Sequence, residues 1–331
     1  MKIVLSIAGV VLALLIVFFI DREVIEVEHN TEDGCENLEL TKRVEEGIYK
    51  NYGLRIPPNT KGEFEVLLDG KILTSGKVNT DQYHRRLSGV KQTDNAFVLF
   101  GASVLFGTGV SDEETIAYVL QSKVNEHSVY NYASRATAPN NIYHFLKNHD
   151  LRPELPHGNF HFVYVQSHAT AYSVDAAPEY SGWMHLSPWY SLEEGKLVHK
   201  GVMEDRPYHK KYLELAKSGT YRNSGLSTEL SNDEVYELTC HLYTGIRKEL
   251  IKQFPKAKFS VVNFPLSNNE KEIEYISSCL KKDNIPFFNF AEMLKEMDEG
   301  SPEFVFPCLD HYTPKSSDAL SDLFIKMFDL K

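Results

Sequence analysis

Ser103 stands in the stretch FVLFGASVLFGTGVSDEETIAYVLQ, residues 97–121, where an apolar run ends and small residues begin. A hydroxyl at such a place has two uses. It fills a turn that tolerates only small side chains, or it attacks an electrophile, which requires a base to take its proton. Gly101, Ala102, Gly107 and Gly109 around it let a substrate approach the backbone closely. Of the 13 histidines, His311 stands out, because FVFPCLDHYTPKSSDALSDLF places it in a loop just ahead of the last helical segment. In a parallel sheet, that loop and the Ser103 loop share the edge formed by the carboxyl ends of the strands, where such sheets bind ligands. A helix starting after Ser103 aims amide N–H groups and its positive dipole end at the same spot, a geometry suited to a developing oxyanion.

The elements that must position these groups are short apolar runs alternating with amphipathic ones, the pattern of βαβ units. AFVLFGAS, SVYNYAS, FHFVYVQS, KFSVVNFP and IPFFNF read as strands. DEETIAYVLQSKV opens with acids that suit a helix N-terminus, and NEKEIEYISSCLKK and SSDALSDLFIKMF are further helices. SNDEVYELTCHLYTGIRKELIKQF is a capped helix with Val235, Leu238, Leu242, Ile246 and Leu250 on one face. Before these, GEFEVLLDGKILTSGK, residues 62–77, predicts a β-hairpin about Asp69-Gly70. The stretch from about 169 to 230 breaks the rhythm and holds both tryptophans, Trp183 and Trp189. It reads as a lid or a binding surface whose aromatic faces suit sugar rings or acyl chains, or as a loop that those rings pin to the core. His157 and His161 flank HGNFH with no carboxylate or cysteine spacing for a metal site.

Four stretches, in order, resemble the blocks of the SGNH, or GDSL-type, hydrolase family. FGASVLFGTGVSDEETIAYVLQ resembles the first, VYNYASRATAPNN the second, VYVQSHATAYS the third and LDHYTPKSSDALSDLF the last. The resemblance runs from residue 94 to 329. It implies a three-layer, flavodoxin-like parallel sheet and a serine esterase or O-acyltransferase that needs neither metal nor other cofactor. It further implies Ser103 as nucleophile, His311 as general base, and an oxyanion held by the backbone N–H groups of Ser103 and Ala133 with help from a third-block side chain.

Three positions depart from the family pattern. Ala133 stands where a glycine is usual, and its N–H survives the change. The usual third-block asparagine is absent, leaving Gln166, Ser167 or His168, with Ser167 and His168 preferred. The family aspartate lies two or three residues before the histidine, where this chain has Leu309 and Cys308; the acid nearby is Asp310, adjacent to His311. Neighbouring side chains in extended backbone point apart. That leaves a Ser–His dyad, oriented by a backbone carbonyl, or a chain that has lost catalysis. Arg135 in the second block pairs with a substrate carboxylate or with a surface acid.

The bulk sequence bounds the setting. IVLSIAGVVLALLIVFFI, residues 3–20, carries no charge and as a helix reaches ~27 Å, about the thickness of a bilayer's hydrocarbon. It runs into FFIDREV, which offers no small-residue cleavage site, so it reads as an uncleaved single-pass anchor occupying residues 1–20. Lys2 before it and acids after it put the N-terminus in the cytoplasm and the main domain outside. Residues 21–60 read as an acidic stalk or linker, 61–93 as the hairpin and a connector, and 94–331 as the main domain. With 46 acidic and 35 basic residues, a formal net charge of −11 opposes nucleic-acid binding. Cys35, Cys240, Cys279 and Cys308 allow three full pairings, none selected by spacing, or remain unpaired buried thiols. The partners expected are an ester-bearing small molecule or carbohydrate and, through the anchor, a membrane. The activity expected is on O-acyl groups of an extracytoplasmic carbohydrate. The rival is an inactive SGNH-like binding or assembly module at the membrane.

Overall fold

The computed structural model describes residues 38–42, 47–49, 53–135, 137–156, 158–166, 186–207, 231–264, 270–290, 303–306 and 311–331. Among these, no helix is long and apolar enough to cross a membrane. The expected anchor, residues 1–20, lies outside the described residues.

The expected linker, residues 21–60, contains strands. β1 (Leu38–Lys42) pairs antiparallel with β4 (Lys61–Leu68), while β2 (Gly47–Tyr49) pairs with β3 (Gly53–Arg55). A five-residue strand in acid-rich sequence carries too little apolar periodicity to be read locally, and β1 exists because β4 offers it an edge. β4 turns into β5 (Lys71–Asn79) through Asp69 and Gly70, whose φ of 52° and 69° make the two-residue turn expected there. This three-stranded ribbon does more than precede the main domain. Phe64, Val66 and Val78 are buried in one cluster with Leu99 and Val104, so the ribbon forms part of that domain's core.

The main sheet holds β6 (Asn95–Gly101), β7 (Ser128–Asn131), β8 (Asn159–Gln166), β11 (Lys258–Asn263) and β12 (Phe287–Asn289). All four pairings are parallel, and the spatial order is β12-β11-β8-β6-β7. In chain order this is the 2-1-3-4-5 arrangement of a flavodoxin-like sheet, with its topological switch between β6 and β8. Side chains alternate across it. Ala96, Val98, Phe100, Phe162 and Tyr164 meet α2 (Pro139–Asn148), α3 (Asn232–Gln253) and α4 (Glu270–Lys282). Phe97, Leu99, Val163 and Val165 meet α1 (Ile116–Lys123) and α5 (Pro314–Phe328). The predicted face of α3, from Val235 to Leu250, is buried throughout. α1 and α5 are held side by side by Lys123, 2.7 Å from Asp318 and 2.6 Å from Asp322.

The part of the 169–230 insert that is described, residues 186–207, is ordered by a second hairpin. β9 (Pro188–Glu193) and β10 (Lys196–Val202) dock on the outer helices through Asn140 Nδ2, which donates to Pro188 O at 2.8 Å. Cys240 and Cys279 form a disulfide between α3 and α4. Closing a loop of that sequence separation, 39 residues, removes about 4 kcal/mol of unfolded-chain entropy. Cys35 and Cys308 lie outside the described residues.

Two histidines, the buried His144 and the half-buried His161, are held in neutral form. His144 Nδ1 lies 2.9 Å from Tyr190 Oη under the hairpin, beside His199 and Lys147, and burial lowers its pKa to about 4. His161 Nε2 lies 2.9 Å from Ser260 Oγ between Phe97 and Phe328, and burial, with Lys258 and His127 nearby, lowers its pKa to about 4 as well. The unfolded chain takes up these protons below about 6.5 while the folded chain resists until about 4. Stability therefore falls as pH drops through that window. Urea unfolding should show this loss, and the double variant His144→Gln/His161→Gln should show a much flatter profile; an unchanged slope would place the titration elsewhere.

Candidate active site

β6 ends at Gly101 because the chain must bend tightly against its neighbour: a Cβ there would sit 3.0 Å from Val165 O on β8. Ala102 is extended, and Ser103 opens a single helical turn, Ser103–Phe106. That turn closes when the N–H groups of Gly107 and Thr108 both donate to Ser103 O at 3.0 Å. Gly107, at φ 87°, is required: a Cβ would lie 2.6 Å from Thr115 Cγ2 and 2.9 Å from a guanidinium nitrogen of Arg86. Ser103 itself is half-buried at the carboxyl edge, beside the β6/β8 switch.

Arg86 is the group that holds this loop. It is 1% exposed, and its Nη1 donates to Phe106 O at 2.9 Å and also to Gly107 O. Nη2 donates to Val110 O at 2.5 Å and to Lys77 O at 3.1 Å, and Nε to Asp112 Oδ1 at 2.9 Å. Asp112 in turn accepts from Asn79 N at 3.0 and 3.1 Å. The ribbon is thereby pinned to the loop after Ser103, a contact reinforced by Thr74 Oγ1 donating to Gly109 O at 2.6 Å. Burial lowers the Arg86 pKa to about 10, opposed by the Asp112 carboxylate, so the guanidinium remains charged at neutral pH. The sequence offers no local signal for it, since its partners come from residues 77, 106, 107, 110 and 112.

The second block runs beside the end of β6. Tyr132 N donates to Leu99 O at 2.8 Å and Ser134 N to Gly101 O at 3.1 Å. Asn131 joins this block to the serine turn, its Nδ2 donating to Leu105 O at 3.2 Å while its Oδ1 accepts from Ala133 N at 3.0 Å. The Ala133 N–H, expected to face an oxyanion, is thus taken by a neighbouring side chain. Arg135 lies over the Phe106 ring at 5.8 Å, with Arg86 over the same ring at 5.0 Å. The structure therefore brings Ser103, Ala133 and Arg135 together.

At the end of β8, Gln166 is committed to the interior. Its Nε2 donates to Glu272 Oε1 at 2.9 Å and its Oε1 accepts from Tyr243 Oη at 2.7 Å. That removes Gln166 from the oxyanion choices; Ser167 and His168 lie outside the described residues, as do Asp310, Trp183 and His157. Trp189 on β9 is faced by the Arg206 guanidinium at 5.7 Å, within the hairpin docked on the outer helices.

His311 reaches the same edge as Ser103 from the other side of the switch. Phe306 N donates to His311 O at 2.9 Å and Thr313 N to Phe304 O at 3.0 Å, an antiparallel pairing of the segment ahead of α5 with residues 304–306. Tyr312 packs its ring 5.9 Å from Phe264, the residue that follows β11. β11 lies two strand spacings, ~10 Å, from β6. A bonded serine–histidine pair elsewhere, Ser260–His161, is structural: Ser260 is 1% exposed and sits inside the sheet.

No family model matches the chain, and no curated protein matches it. Among solved structures it is similar to a member of the lipolytic protein G-D-S-L family from Veillonella parvula, at 10% identity over 71% of this chain and 98% of that one, with a TM-score of 0.38. It is similar to a lipase/acylhydrolase from Enterococcus faecalis at 12% identity, covering 72% and 97%, with a TM-score of 0.40. A third, a catalytic mutant of an acetylxylan esterase from Geobacillus stearothermophilus, shares 10% identity over 73% and 97%, with a TM-score of 0.39. Likenesses this loose leave the assignment to the chain's own residues.

Arg86→Met would leave Asp112 buried without its cation and remove the guanidinium donors from four carbonyls. Breaking a buried pair this way costs about 3–5 kcal/mol. Urea unfolding should show a loss of that size, and Arg86→Lys should recover only part of it because an ammonium cannot span the fork of acceptors. A loss below about 1 kcal/mol would remove Arg86 from this role.

Proposed function

We propose that the chain is a serine hydrolase or acyltransferase of the SGNH type, acting on O-acyl esters. The observation that carries this reading is the placement of Ser103 as the first residue of a turn at the β6/β8 switch, its loop fixed by a buried guanidinium. His311 arrives on the same edge, ahead of α5.

In this reading Ser103 Oγ attacks the ester carbonyl carbon while the His311 imidazole takes its proton. The Ser103 N–H stabilises the oxyanion, and the alcohol leaves with the proton held on His311, giving an acyl-enzyme. Water or a sugar hydroxyl then attacks the acyl carbon and passes its proton to His311, which returns it to Ser103 Oγ as the acid or the acylated sugar is released. Arg135 lies beside the Ser103 turn, over the Phe106 ring. Asp310 adjoins His311 in sequence, and a backbone carbonyl is the alternative partner for the far ring nitrogen.

The natural setting proposed is an extracytoplasmic domain tethered by residues 3–20, with O-acylated carbohydrate as substrate. Support comes from the uncharged N-terminal run and from the Cys240–Cys279 disulfide, which is at home in an oxidising compartment. The rival reading, an inactive module, is favoured by one observation: the Ala133 N–H and the Gln166 side chain are both occupied by intrachain partners.

Hydrolysis of p-nitrophenyl acetate by the purified chain separates the two. Ser103→Ala and His311→Ala should each lower kcat/KM by about 10³-fold or more, with unfolding midpoints unchanged. A folded chain with no rate above buffer, or a rate that survives both substitutions, rejects the enzyme.

A further inference from the structure

α3 and α4 run parallel, both starting at the carboxyl edge of the sheet, and they meet along one stripe. Tyr236 packs against Tyr275 with ring centroids 5.6 Å apart, Cys240 is bonded to Cys279, and Thr244 Oγ1 donates to the Asp283 carboxylate. The steps are four residues on each helix, so the three contacts stack one turn above another. Around the uppermost of them, the tyrosine pair, lies an open groove of about 530 Å³. That volume falls within the range of ~300–1,000 Å³ typical of ligand sites.

The groove's chemistry is specific. Tyr236 is buried, and Tyr275, which it supports, is 36% exposed, one of the few large apolar side chains so placed among the described residues. The charged walls cancel: Asp233 and Glu274 against Lys271 and Lys282, with Asn232 and Ser278 adding neutral donors and acceptors. A net anion or cation gains little from such a balance. An apolar ligand finds one aromatic face and no enclosure. A ring with an apolar face and a rim of hydroxyls matches it, stacking on Tyr275 while carboxylates accept and ammonium and amide groups donate. The disulfide one turn below holds the two walls at fixed separation, so little ordering is required on binding.

We infer that this groove, which runs along the seam between α3 and α4, is a binding site for a neutral oligosaccharide, separate from the Ser103 loop. That the bound glycan carries the ester cleaved at Ser103 rests on the proposed function; binding itself does not.

The test uses the full chain carrying Ser103→Ala, in a detergent without a sugar headgroup, titrated by calorimetry with xylohexaose, N-acetylchitohexaose, maltohexaose and, as an anionic comparison, hexagalacturonate. At least one neutral hexaose should bind, and Tyr275→Ala should weaken it tenfold or more. No binding by any neutral hexaose, binding confined to hexagalacturonate, or equal binding by Tyr275→Ala overturns the site. Ester hydrolysis by the unsubstituted chain, measured beside it, reports on Ser103 alone, so failure of the groove and failure of the nucleophile are seen separately.

Discussion

One buried cation organises this molecule. The Arg86 guanidinium gathers the carbonyls of Lys77, Phe106, Gly107 and Val110 and the carboxylate of Asp112. Isolated, a charge so deeply buried would be prohibitive; surrounded by five acceptors it is satisfied, and it stays ionised at neutral pH. The consequence is mechanical. The loop after Ser103 cannot move without releasing the ribbon, and the ribbon cannot leave without exposing Phe64, Val66 and Val78. A segment that precedes the sheet in sequence thus braces the loop that follows Ser103.

The parallel sheet supplies the second constraint. Its order turns back between β6 and β8, which opens a crevice over their carboxyl ends. Ser103 follows β6, the second block follows β7, and the His311 segment is clamped against the end of β11 by Tyr312 on Phe264. Gln166, at the end of the central strand, is spent on the buried Tyr243 and Glu272 instead. The edge therefore divides into positions that face the crevice and positions that stitch sheet to helices, and only geometry tells them apart.

Much of the core was legible in the sequence because it obeys local rules. The five strands of the sheet and α1, α3, α4 and α5 show their apolar periods openly, and Asp69-Gly70 announces its turn. α2 does not: in PNNIYHFLKN the asparagines and histidine conceal the face formed by Ile142, Phe145 and Leu146, and those polar groups are buried only because the β9–β10 hairpin answers them. β1 is invisible for the same reason, being a strand only against β4. Arg86 and Asp112 were out of reach altogether, since neither residue's neighbours in sequence reveal that the two meet. Ser103 and His311 could be singled out because a serine after a buried strand and a histidine before the final helix are positions fixed by topology. The occupation of Ala133 N–H by Asn131 is a matter of rotamer, which no spacing encodes.

The central claim is that the Ser103 hydroxyl is activated and that its loop is held ready by Arg86. The most direct test is to treat the chain with a fluorophosphonate and map the adduct by peptide mass spectrometry, following its rate in the unsubstituted chain and in Arg86→Lys. One adduct per chain on Ser103, forming more slowly in the variant, is the predicted result. A folded chain that takes no adduct, or takes it on another serine, would contradict the account.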